Sequence, residues 1–157
     1  MNDAPATAIV RRATPSDGDA VRRFVFETLI AYGVEPEPDD HDKDVMTFGQ
    51  DPDPVDAFVA DIGGVAVGSV MVAPRADGTG WLSKFFVDRS FRGHGIGRAL
   101  LDRAVQAARE RGYKRLELDT RTYFKEAVHL YEATGWQLSS EESHPPCDAY
   151  YFLELDN

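Results

Sequence analysis

Apolar residues along the chain follow one period, then another, and the switches mark out its elements. Ala8 to Ala13 reads as a strand, and Thr14-Pro15-Ser16-Asp17 then supplies an N-cap, a proline at the first helical position and an acid at the third. Val21, Phe24, Val25, Thr28 and Leu29 recur at spacings of three and four, which predicts a helix running to about Tyr32 and ended by Gly33. Val34 to Pro54 keeps no period and is rich in Pro and Asp. It is expected to be a loop with one short helix near Asp40 to Phe48, forming a lid over a substrate site. Ala57 to Ile62 and Val65 to Ala73 are β-branched runs joined by Gly63-Gly64, the spacing of a tight hairpin. Trp81 to Asp88 follows Asp77-Gly78 and reads as a third antiparallel strand. An amphipathic run from Arg98 to Arg111 predicts a helix ending at Gly112, and Arg115 to Asp119 predicts the next strand. Strand, helix, strand is a crossover, so these two strands should be parallel. Lys125 to Thr134 reads as a short helix capped by Gly135, and Trp136 to Leu138 and Ala149 to Leu155 as closing strands. No internal repeat or linker divides the chain.

Composition narrows the class. At 157 residues, 43% hydrophobic and 11% aromatic, the chain can bury the core of one compact domain. That domain is expected to span residues 7–157, after a tail of residues 1–6. No run of about 18 apolar residues exists, and Met1 to Ala8 lacks the basic-then-apolar order of a secretory signal, so a cytoplasmic protein is expected. Cys147 is the single cysteine, which excludes an intrachain disulfide and a cysteine-based zinc cluster. No metal is expected.

A net charge of −10 argues against nucleic-acid binding, which needs a surplus of Lys and Arg. Its distribution is uneven. Between Lys84 and Lys125 lie eleven of the 17 basic residues. Between Val34 and Asp61 lie ten acids, with Lys43 the one base. An anionic cofactor and a cationic second substrate suit that asymmetry; acidic loops that are merely solvated suit it equally.

The candidate chemistry centres on Arg92-Gly93-His94-Gly95-Ile96-Gly97, between the apolar run Lys84-Phe85-Phe86-Val87 and the helix that opens near Arg98. Glycines there leave backbone N–H groups bare at a helix N-terminus, where unpaired amides and the helix dipole favour a phosphate. Alone, the run does not separate a nucleotide cofactor from a simple tight turn.

Taken with Leu118-Asp119-Thr120 and Ala127-Val128-His129-Leu130-Tyr131-Glu132-Ala133-Thr134-Gly135-Trp136, this stretch resembles the GNAT superfamily of acyl-CoA-dependent N-acetyltransferases. The resemblance covers roughly residues 7 to 155. It implies an α+β fold, an α/β/α sandwich on a mixed central sheet of six to seven strands, with an antiparallel N-terminal half and a splayed parallel pair in the middle. It also implies acetyl-CoA as cosubstrate. The diphosphate would lie on the amides of Arg92, Gly93, His94, Gly95, Ile96, Gly97 and Arg98, where a β-carbon at Gly95 or Gly97 would crowd it. The pantetheine arm would pair with the main chain of Phe85, Phe86 and Val87, whose side chains are expected to be core. A main-chain N–H near Phe85 or Phe86 would hold the oxyanion.

Tyr131 matches the tyrosine that in many members of the family donates a proton to the departing CoA thiolate; a phenol, with a pKa of about 10, is protonated at neutral pH. Phe124 stands where many members carry an asparagine, so the resemblance does not carry that one side-chain contact to CoA over to this chain. For the group that takes the amine's proton, Asp119 and Glu117 are candidates. They are read as facing opposite sides of the sheet, so that one meets the site. Glu27, Tyr32, His41 and His129 are further candidates, and solvent is another. Cys147, in His144-Pro145-Pro146-Cys147, raises a covalent acyl-enzyme, but direct attack by the amine is the family's usual route.

A dinucleotide-binding fold also has glycines between strand and helix, with an acid some twenty residues on, as Asp119 is here. It fails on spacing: with Gly95 and Gly97 as the first pair, Leu100 occupies the third glycine position. A non-catalytic module that binds acyl-CoA as sensor or scaffold is the other alternative, and Tyr131 argues against it. The expected partner is a small-molecule amine or an amino terminus, with no nucleic acid and no membrane; a homodimer is compatible with this reading.

Overall fold

The computed structural model describes residues 7–40, 42–143 and 145–155; the expected tail of residues 1–6, His41 and His144 lie outside them. Seven strands form one sheet: β1 (Ile9–Arg12), β2 (Asp56–Ile62), β3 (Val65–Pro74), β4 (Thr79–Val87), β5 (Arg115–Thr120), β6 (Gln137–Leu138) and β7 (Ala149–Glu154). Their spatial order is β1-β2-β3-β4-β5-β7-β6. Every neighbouring pair is antiparallel except β4 and β5, which run parallel, as the crossover requires. The helices are α1 (Gly18–Ala31), α2 (Lys43–Met46), α3 (Ile96–Glu110) and α4 (Lys125–Ala133).

Side-chain alternation splits the core into two layers. Phe58 and Ala60 of β2 pack towards α3, with Leu100, Leu101, Ala104 and Ala108. Val59, between them in sequence, packs on the other side with Val21, Phe24, Val25 and Leu29 of α1. This period of two, met by helical faces at spacings of three and four, produces the three-layer sandwich.

The sequence-predicted elements recur with small shifts at their ends. The expected capping residues do fold a turn: the Asp17 carboxylate accepts from the Thr14 backbone N–H at 2.7 Å and from the Arg11 guanidinium at 2.8 Å. The acidic stretch after Gly33 contains α2 alone, and Val45 and Phe48 are fully buried against α1. Two apolar anchors thus hold this loop to the domain, so it is a wall of the fold as well as a cover.

Two irregularities of β4 shape everything that follows. β4 pairs with β5 only at Thr79↔Arg115, Gly80↔Leu116 and Trp81↔Glu117; beyond Trp81 the two strands part. On its other edge, the register with β3 steps from Ser69↔Phe86 to Met71↔Ser83, so Lys84 and Phe85 together oppose Val70 in a β-bulge. Lys84 has φ +54°, a left-handed conformation that costs a side-chain-bearing residue about 1–2 kcal/mol. The fully buried Ser69 fixes it, its hydroxyl donating to the Lys84 carbonyl at 2.7 Å.

Candidate functional site

At the end of β4 the chain turns through Arg92 to Gly95 into α3. Gly93 and Gly95 have φ +85° and +77°, and a β-carbon on either would meet nothing within 4 Å. These two glycines serve the backbone path and leave open space above it. Gly97 differs from the expected role: a β-carbon there would lie 3.2 Å from Leu130 and 3.4 Å from Phe85. Its bareness lets α3 and α4 approach, rather than only sparing a ligand. The first intrahelical donor near the turn is Ala99 N–H, to the Gly95 carbonyl at 3.1 Å. The amides of Ile96, Gly97 and Arg98 therefore have no acceptor within the helix, and they carry the positive end of its dipole.

A cleft of about 250 Å³ opens over this turn. Of the residues assigned to the cofactor from sequence, Phe85, Phe86, Val87, Arg92, Gly93, Gly95, Ile96, Gly97 and Arg98 line it; His94 is exposed and does not. The Arg92 side chain folds back, donating to the Val87 carbonyl at 3.2 Å and to Thr28 Oγ1 at 3.4 Å, and pairing with Glu126 at 3.3 Å. It braces the turn against β4, α1 and α4. Where the family's asparagine is missing, Phe124 forms an aromatic cluster with Tyr32 (5.1 Å), Tyr123 (4.9 Å) and Phe86 (5.8 Å). Tyr32 and the exposed His129 also border this cleft.

A second cavity, of about 400 Å³, lies on the other side of Phe85, Phe86, Phe124 and Ala127, which line both. Its walls come from α1, α2, the parted strands β4 and β5, α4 and the loop before β7, and include Asp44, Lys84, Asp119, Arg121, Tyr131 and Cys147. The two hollows thus meet where β4 bulges and leaves β5.

Tyr131 is 4% exposed. Its ring packs against Phe85 at 5.7 Å, Trp136 at 5.7 Å and Tyr151 at 6.0 Å. Burial drives its pKa well above the ordinary phenol value, and the neighbouring Cys147 adds to the rise. The Cys147 thiol is itself pushed up to about 11, by burial first and then by the Asp119 charge. A thiol so shifted carries almost no thiolate at neutral pH, which makes it a poor nucleophile.

The reading that Glu117 and Asp119 face opposite sides is wrong. Residues two apart on a strand share a face. Asp119 stands directly across from Tyr150 in the register, and the Tyr150 hydroxyl donates to Glu117 Oε1 at 2.6 Å, so all three lie on one side. Asp119 lines the cavity, whereas Glu117 is bound to Tyr150 and to Arg115 at 3.4 Å. Glu27 is held by Arg23 at 3.0 Å on the outer surface of α1.

A profile described as the acetyltransferase (GNAT) family matches residues 22–136. The chain belongs to that family. It is an acyltransferase, as the resemblance implied. Uncharacterized N-acetyltransferase YjgM of Escherichia coli (strain K12) is 30% identical over 146 residues, 87% of this chain and 86% of that protein. Among solved structures, a GNAT-family acetyltransferase from Staphylococcus aureus Mu50 superposes with a TM-score of 0.86 at 18% identity, over 96% of this chain and 100% of the other. YncA of Salmonella typhimurium, solved with its cofactor acetyl-CoA, gives 0.76 at 18% identity over 96% and 95%. The α+β architecture inferred from the motifs is therefore the GNAT fold.

Two features of this GNAT site escaped the sequence reading. The left-handed Lys84, whose ammonium reaches Asp44 of α2 at 3.2 Å, had no signal, because nothing in its neighbours marks a bulge. Arg121 did: it continues the alternation Glu117, Asp119, Arg121 one step past the strand end, on the cavity side. Among the described residues no three His, Cys, Asp or Glu side chains form a group that could hold a metal, and no helix is long and apolar enough to cross a membrane.

Proposed function

We propose that this protein transfers an acetyl group from acetyl-CoA to a primary amine of a small molecule or amino terminus, by direct attack within a ternary complex. One observation carries the reading: the cleft over the glycine turn and the larger cavity share Phe85, Phe86, Phe124 and Ala127 as lining, where β4 and β5 part. A phosphate-bearing chain entering over the turn would bring its acyl end to that shared wall, beside the acceptor.

The fit of acetyl-CoA rests on the open space above Gly93 and Gly95 and on the unbonded amides that begin α3. Acetyl-CoA bound there supplies an activated thioester. Arg92, Gly93, Gly95, Ile96, Gly97 and Arg98, which line the cleft, hold the diphosphate through the main chain, and Phe85 to Val87 offer the parted edge of β4 to the pantetheine arm. A main-chain N–H of Phe85 or Phe86, at the bulge of β4, donates to the carbonyl oxygen as it gains charge. The amine nitrogen forms the new C–N bond as the C–S bond breaks; Asp119 or a water it holds takes the amine's proton, and Tyr131 donates a hydrogen bond to the departing sulfur. Proximity supplies much of the remaining rate. The raised thiol pKa of Cys147 supports direct attack over an acyl-enzyme.

Thiol release from acetyl-CoA with a panel of primary amines tests this. Initial-velocity lines that intersect as both substrates vary are expected. Parallel lines would point to an acyl-enzyme, and tight CoA binding with no release from any amine would point to a binding module.

A further inference from the structure

Arg121 is 6% exposed and lines the larger cavity. Its described polar neighbours are neutral: its Nη1 donates to the Tyr123 hydroxyl at 2.9 Å, and its charge acts on the Cys147 thiol. Its carbon lies 6.0 Å from the centre of the Phe124 ring. Among the described residues, the ion pairs within 4.0 Å include none with Arg121, whereas Arg11, Arg12, Arg23, Arg92, Arg111 and Arg115 each have at least one. A guanidinium has five N–H donors, and a charge taken out of water without a counter-ion is expensive. Arg121 is thus a buried cation without an ion-pair partner among the described residues, at the wall of the acceptor cavity.

Other charges at that wall are placed differently. Lys84 is paired with Asp44, and Asp42 spends its carboxylate on the Glu37 backbone N–H at 2.8 Å. The acidic loop therefore contributes little free negative charge to attract a cation. Asp119, two residues from Arg121, acts on the same Cys147 thiol. The wall so carries a guanidinium and a carboxylate beside that thiol, next to apolar surface from Val25, Leu29, Met71 and Trp81.

We infer that Arg121 binds a carboxylate on the acceptor, so that the acceptor is an amino carboxylic acid with an apolar side chain, its amine held towards Asp119 and the thioester. This rests on the acetyl-transfer reading above. Planar guanidinium and carboxylate match in a bidentate pair, which a carboxamide or a missing carboxyl group cannot form. The geometry disfavours polyamines, which carry no carboxylate for the Arg121 guanidinium.

The test compares phenylalanine, phenylalaninamide and phenethylamine as acceptors for the parent, Arg121→Gln and Arg121→Lys, by thiol release and by calorimetric binding to the CoA-loaded protein. The parent should favour the acid by about ten- to a hundredfold in kcat/KM, the range of a charge-assisted pair. Arg121→Gln should erase that preference while changing phenethylamine turnover little, and Arg121→Lys should recover part of it. A merely structural arginine would lower all three substrates alike, or spare the ratio. Equal use of all three by the parent, or a preference that survives Arg121→Gln, overturns the assignment and leaves acetyl transfer standing. Should no acceptor release thiol, the transfer reading fails, and binding decides this one: selective binding of the acid supports it, and equal or absent binding overturns it. If Arg121→Gln does not fold, the parent's ratio and Arg121→Lys carry the same decision.

Discussion

Replacing Tyr131 with phenylalanine separates a hydrogen bond to the leaving sulfur from full proton donation, because the environment of this phenol sets a bound on what it can do. A cysteine-like thiol has a pKa of about 8.5 and a free phenol about 10, so complete transfer from phenol to thiolate is already uphill by about 1.5 units, or roughly 2 kcal/mol. Burial raises the Tyr131 phenol further, and the deficit grows. Donation of a hydrogen bond to the developing thiolate has no such deficit, since the proton stays on oxygen. Its loss is worth about 1.5–3 kcal/mol, the range for bonds to charged groups, which corresponds to about a ten- to hundredfold fall in kcat. A full general acid would cost up to about 10⁴.

The substitution should leave the fold intact. The ring contacts to Phe85, Trp136 and Tyr151 survive in phenylalanine, and among the described residues no hydrogen bond from the Tyr131 hydroxyl enters the packing. We expect Tm within a few degrees of the parent, since a change under about 1 kcal/mol shifts a domain of this size by only about 2–4 °C. KM for acetyl-CoA should be little changed, because the hydroxyl acts only as charge develops on sulfur. The parent's kcat should also stay flat from pH 7 to about 9.5, because a phenol raised above its ordinary value near 10 keeps its proton there. Stopped-time thiol release across that range measures all of this. A folded variant with less than about threefold loss would remove Tyr131 from the chemistry, and a loss beyond about 10³ would refute the hydrogen-bond limit and restore a full acid.

Three further substitutions probe the cradle, the thiol and the frame. Gly95→Ala puts a β-carbon on a left-handed residue, at about 1–2 kcal/mol, and into the open cleft; calorimetry should find CoA binding weakened about tenfold or more with the helix still formed. Unchanged affinity would place the phosphates elsewhere. Cys147→Ala should keep kcat within about threefold, since a thiol raised to about 11 is about 10⁻⁴ thiolate at pH 7; collapse of activity in a folded protein would revive the acyl-enzyme. Asp56 is 1% exposed, and although burial opposes its charge, Arg111 and Arg12 at 2.9 and 2.7 Å hold its pKa below 3.8. A depressed carboxylate stabilises the fold above the unfolded value and loses that contribution as pH falls through the lower folded one. Asp56→Asn should therefore cost about 2–3 kcal/mol in urea unfolding at pH 7, with the gap to the parent shrinking below pH 3.8; a gap that persists at pH 3 would contradict the ion-pair account.

What could be read from the sequence, and what could not, divides by the range of the interaction. The glycine turn, the hairpin at Gly63-Gly64 and the apolar stripes of α1 and α3 are local: each is decided by backbone freedom or by one period, and each was legible. The parting of β4 from β5 is decided by pairing with a strand some thirty residues away, and the bulge at Lys84 by a buried hydroxyl on β3. Neither leaves a mark on its own segment, and the splayed pair is anticipated only through the family resemblance. Gly97 illustrates the limit within a motif, because its neighbours in sequence suggest a ligand whereas its neighbours in space are Leu130 and Phe85. The strand period of two by itself places Glu117 and Asp119 on one face. Applied one step further it carries the acceptor-side row from Glu117, spent on Tyr150, through Asp119 to Arg121. The motifs that name the cosubstrate are the ones that meet its invariant phosphates and thioester. The acceptor differs from enzyme to enzyme, so its recognition falls to side chains outside any motif, and in this chain the strand period is the signal that leads to them.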